Sequence, residues 1–108
     1  MIRTNRRVNV WRPAQLVSGI SAIDDLEPLY PDVRAWLKLA SALVVTREGS
    51  ETTADGELRI SRAIRQGDVV GIVDSDRKYR IEGVDELLAP SGRVDGYRAF
   101  LVRDASLE

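Results

Sequence analysis

A chain of 108 residues with a net charge of −1 and 44% hydrophobic content has room for one packed core and too few residues for two. It has no cysteine and no histidine, which removes a disulfide framework, thiolate zinc and the usual neutral-pH proton shuttle. No apolar run approaches the ~20 residues of a membrane-spanning helix, and the arginine-led start runs into no signal-peptide-like apolar segment.

Residues 1–12 carry Arg3, Arg6, Arg7 and Arg12 and no acid, so residues 1–7 read as a basic arm. Val8-Asn9-Val10-Trp11 alternates and stops at Pro13, which predicts a short first strand. From 14 to 32 periodicity is poor. Ser18-Gly19, Pro28 and Pro31 punctuate this stretch, and Asp24, Asp25, Glu27 and Asp32 make it acidic. A long loop with one helical turn near 23–26 is predicted, and loops of that length in a small domain are usually functional. Asp24-Asp25-x-Glu27 has no metal-motif context, so a solvated acidic loop or a partner contact is the better reading than a divalent ion.

Residues 33–43 can be read two ways. As a strand, Val33, Ala35, Leu37 and Leu39 share a face; as a helix, Val33, Trp36, Leu37 and Ala40 share a stripe behind an Asp32 N-cap. The stretch 47–57, with Glu48, Glu51 and Asp55, is polar and acidic, a loop or a wide hairpin connection. Alternation resumes at Leu58 and Ile60 and predicts a strand to about residue 64.

Gly67-Asp68 interrupts that strand, and 69–73 is a short apolar run suited to a buried strand. Asp74-Ser75-Asp76 supplies a turn. In the return run Tyr79, Ile81 and Gly83 oppose Lys78, Arg80 and Glu82, completing a β-hairpin. The two aspartates have the spacing of some calcium loops, but no later ligands or closing glutamate follow. Ala89-Pro90-Ser91-Gly92 and Asp95-Gly96 mark a second long turn. Residues 97–103 form a last strand with Tyr97, Ala99 and Leu101 against Arg98, Phe100 and Val102.

Five to six short strands with long loops predict a mainly β, single-domain barrel or sandwich. An enzyme would have to rely on carboxylates, Lys38, Lys78, tyrosines or hydroxyls, and no acid–base constellation is recognisable. The expectation is a protein without catalytic activity, cofactor or bound metal. Charges of one sign grouped in blocks suit complementary protein contacts, with Arg3, Arg6 and Arg7 set against Asp24, Asp25, Glu27, Asp32, Glu48, Glu51 and Asp55. The arginine arm could also bind phosphate, but the chain as a whole is not basic. Trp11, Tyr30 and Trp36 are candidates for core packing or for interface anchors.

Arg-Ile-Ser-Arg-Ala-Ile (59–64), Gly-Asp-Val-Val (67–70), Lys-Tyr-Arg-Ile-Glu-Gly-Val (78–84) and Tyr-Arg-Ala-Phe-Leu-Val-Arg (97–103) resemble the tailed-phage head–tail joining proteins, also called head-closure or stopper proteins. Val8-Asn9-Val10-Trp11-Arg12-Pro13 looks like that family's opening strand, and Val33-Arg34-Ala35-Trp36-Leu37 like its second, which favours strand over helix there. The resemblance runs in order over four-fifths of the chain, through short motifs. It implies a β-barrel subunit of a virion neck, assembled in the host cytoplasm. The subunit would form a homo-oligomeric ring between portal or adaptor and tail terminator or tail tube, close to packaged DNA and away from membrane. The acidic 14–32 segment and acidic 47–57 loop depart from the family pattern. The alternative is an OB-like or SH3-like barrel that binds nucleic acid or a peptide.

Overall fold

The computed structural model describes residues 3–13, 26–45 and 51–104, without the side chains of 42–45 and 51–52. Strands β1 (Arg6–Pro13), β2 (Leu26–Lys38), β5 (Gly56–Ile60), β6 (Val69–Ile72), β7 (Lys78–Leu88) and β8 (Val94–Arg103) close a barrel in the order β1-β2-β5-β8-β7-β6. Strands β3 (Ala42–Val45) and β4 (Glu51–Ala54) form a separate two-stranded hairpin inserted between β2 and β5. Every barrel pairing is antiparallel.

Alternation decides which residues enter the barrel. Val8 and Val10, Ala35 and Leu37, Leu58 and Ile60, Tyr79 and Ile81, and Ala99 and Leu101 meet in its interior with Val70 and Ile64. Each fully buried leucine or isoleucine contributes about 1.5–3 kcal/mol through removal from water. Closure also leaves no open edge on the paired part of the sheet.

Residues 26–32, expected as loop, belong to β2. Val8 pairs with Val33 but Val10 with Tyr30, and Trp11 then pairs with Pro28, so β2 takes one extra residue at each of two bulges. Pro28 and Pro31 sit in this irregular stretch, where a missing N–H costs least. Asp32, at φ 52°, donates its N–H to Asn9 Oδ1 at 2.8 Å. The extra residues keep Leu29, Tyr30 and Val33 packed on the core. The stretch 33–38 is strand, not helix.

Other boundaries also move. Arg6 and Arg7 lie in β1, so only residues 3–5 of the described arm precede the sheet. Residues 51–54 and 56–57, expected as a loop or a wide hairpin connection, are strand, with 51–54 pairing back on 42–45 as the hairpin reading has it. The strand expected to reach residue 64 stops at Ile60, and Ile64 folds back into the core. A bulge between Ile81 and Gly83 sets Gly83 opposite Phe100 rather than on the face of Tyr79 and Ile81. Asp95 and Gly96 belong to β8, because the turn after β7 is closed at Ala89 and Arg93 by a 2.8 Å backbone hydrogen bond.

The registers give the barrel two distinct ends. One carries the 13/26 end of the β1–β2 hairpin, the crossover 61–68 and the β7–β8 turn; the other carries Thr4–Asn5, the β3–β4 hairpin and the turn 73–77. At Gly71 a Cβ would lie 2.8–2.9 Å from the Trp11 ring, so the indole packs directly on bare backbone. Gly71→Val should therefore lower stability by about 1–3 kcal/mol through overpacking, read as a lower urea midpoint with an unchanged slope.

Candidate interaction surfaces

At the crossover end, Gly67 (φ +94°) is the third residue of a β-turn closed by Asp68 N–H donating to Arg65 O at 3.1 Å. The turn leaves Asp68 only 1% exposed. Its carboxylate accepts Arg12 Nε and Nη2, both at 3.0 Å, and the Arg65 N–H at 3.0 Å. The Asp68 backbone also accepts from Ile81 N–H at 2.9 Å. One buried acid thus joins β1, the crossover and β7. The hydrogen bond from Arg12 to Asp68 raises the arginine pKa further, against the opposing effect of burial.

At the opposite end, Asn5 is clipped to β2: its Nδ2 donates to Leu37 O at 3.0 Å and its Oδ1 accepts Leu37 N–H at 2.8 Å. This fixes the backbone leading into Arg6 and Arg7. Arg7 stands directly across the ladder from Arg34 and is bonded to Asp32 at 2.6 Å in an exposed pair. Arg6, Arg7 and Arg34 line an open groove of about 490 Å³ with Thr4, Asn5, Ile72, Val73 and Asp74.

A third surface is the outside of β2-β5-β8-β7. Trp36, Arg59, Arg98 and Asp85 form one cross-strand row, and Lys38, Glu57, Phe100 and Gly83 the next. The Arg59 guanidinium lies over Trp36 at 4.8 Å and bonds Glu57 at 3.0 Å. Arg98 lies over Phe100 at 5.3 Å and bonds Asp85 at 3.1 Å. The aromatics therefore hold the cations flat on the sheet.

The residues singled out from sequence are dispersed. Asp24, Asp25 and Glu48 lie outside the described residues, and Glu51 is described only by its backbone in β4. Arg3 is exposed ahead of β1. Glu27 is exposed across from Arg12, and Arg34 lies about 23 Å along β2 from it at ~3.3 Å per residue. Asp32 meets Arg7 within the chain. Asp55 accepts the Arg103 N–H at 2.8 Å and ties the bend before β5 to β8. Trp11 packs on Gly71 beneath Lys78, and Tyr30 donates its hydroxyl to Ala63 O at 2.9 Å beneath Arg62. Neither these two nor Trp36 is fully buried. Arg34, Arg59 and Asp68 were not singled out as site residues.

No protein-family model matches the chain, and neither do any curated protein or solved structure.

The two ion pairs made by β1 arginines, Arg12 with Asp68 of the crossover and Arg7 with Asp32 of β2, should separate clearly in urea unfolding. Arg12→Met should cost about 3 kcal/mol, near the low end for a broken buried pair because Arg12 keeps partial solvent contact. Arg7→Met breaks an exposed pair and should cost no more than about 1 kcal/mol.

Proposed function

We propose that this chain is a structural, non-catalytic subunit of a tailed-phage neck, working in a homo-oligomeric ring between portal or adaptor and tail. What supports the reading is the placement of the sequence motifs on a small closed barrel whose two ends differ. Of the segments that resemble head-closure proteins, 8–13, 33–37, 78–84 and 97–103 fall in barrel strands, whereas 59–64 and 67–70 are strand only at 59–60 and 69–70. The β2–β5 connection carries an extra hairpin at one end, and the long β1–β2 and β7–β8 hairpins extend toward the other. A rigid barrel with connections at both ends suits a spacer that meets one partner above and another below. In this reading the ring closes the DNA-filled head and docks the tail, and the subunit resides in the virion neck.

A second reading, a barrel module that binds nucleic acid or a peptide, draws on the outer row of Trp36 and Phe100 with their stacked arginines. Disruption of the gene distinguishes the two. The neck reading expects DNA-filled or leaking heads beside separate tails by electron microscopy, with normal head and tail protein levels. An unchanged yield of infectious tailed particles would contradict it.

A further inference from the structure

We infer that the groove lined by Arg6, Arg7 and Arg34 is a docking site for an acidic segment of another protein chain. Three arginines and one acid, Asp74, are among its lining residues: Arg7 and Arg34 share the outer face across the β1–β2 ladder, and Arg6 is the next residue along β1 at the barrel's end. Arg7 is already bonded to Asp32, whereas the Arg6 and Arg34 side chains have no hydrogen-bond or ion-pair partner among the described residues. Arg7 and Arg34 are also directly opposed on neighbouring strands, an arrangement of like charges that disfavours pairing. An incoming carboxylate relieves that repulsion and gains bidentate hydrogen bonds from a guanidinium.

The site is held in place before anything binds. Asn5 is fixed by two side-chain hydrogen bonds to Leu37, and the Arg7 carbonyl accepts Val73 N–H at 3.0 Å. Little backbone ordering remains to oppose association.

The signs around the groove choose the class of partner. Asp32 flanks it and Asp74 lines it. A nucleic-acid backbone carries a charge at every nucleotide, so Asp32 and Asp74 would repel it at close intervals. A protein segment can set two carboxylates against Arg6 and Arg34 and keep neutral residues beside Asp32 and Asp74. The site stands whether or not the protein belongs to a phage neck.

The test is fluorescence anisotropy at low and at physiological ionic strength. The probe is a fluorescein-labelled peptide, Gly-Ser-Asp-Gly-Glu-Gly-Ser, with its Asn/Gln counterpart and a labelled 20-nucleotide single-stranded DNA as controls. The intact protein should bind the acidic peptide at least tenfold more tightly than either control, with affinity falling as salt rises. Arg6→Gln and Arg34→Gln should each reduce binding at least fivefold without changing the thermal melt. Arg93→Gln, the same charge change in the exposed turn at the other end of the barrel, should leave it intact. The inference is overturned if the acidic peptide fails to bind, if DNA binds as tightly, or if Arg93→Gln weakens binding as much as the groove variants.

Discussion

The junction between the crossover 61–68 and the barrel depends on Asp68, the one buried acid among the described residues. Asp68 sits where the crossover 61–68 turns into β6, and its carboxylate is shared between the Arg12 guanidinium and the Arg65 N–H. A carboxylate removed from water at this depth is tolerated only when it is paired and its lone pairs are filled. Both conditions are met by groups from different parts of the chain. The crossover is thereby held against the β1–β2 hairpin, Ile64 is kept in the core, and β6 starts in register with β7 at Val69 and Arg80.

How much of this is legible in the sequence depends on the residues. The 69–84 hairpin is plain because apolar alternation and the Asp74-Ser75 turn are adjacent in the chain. At Asp74 the positive φ of 70° falls on a residue type that tolerates it. β2 is hidden for a physical reason: two bulges each add a residue, so Leu29, Tyr30 and Val33 reach the core at steps that are not multiples of two. Period-2 logic then fails, and two prolines complete the disguise. Asp68 reads as a turn residue because it follows Gly67. The available signal was an acid wedged between Ile64 and the apolar run Val69–Ile72, with an unpaired arginine block upstream. Arg34 was overlooked because, within its own strand, it belongs to a solvent face. Only the register that sets it across from Arg7 gives it meaning.

The same contrast runs through the charges. Blocks of opposite sign are visible in sequence, but the fold uses part of them internally: Arg12 for Asp68, Arg7 for Asp32, and Asp55 for the Arg103 amide. Among the described residues, the charges left outward include Arg3, Arg6 and Arg34 at one end, and Glu27 about a strand length away toward the other. A barrel with unlike ends favours heterologous contacts over self-complementary ones. The outer sheet face differs in kind, since its arginines are matched by Glu57 and Asp85 and by aromatic rings.

Native-state hydrogen exchange on the Arg12→Met protein tests the role of Asp68 most directly. The amides of Arg65, Gly67, Asp68 and Ile81 report the turn and its junction with β7, and those of Tyr79 and Leu101 report the barrel wall. If the buried acid organises the crossover, the first group loses at least tenfold in protection beyond the change at Tyr79 and Leu101. Equal loss at all these amides, or none, would contradict a local anchor and leave Asp68 as one core residue among many.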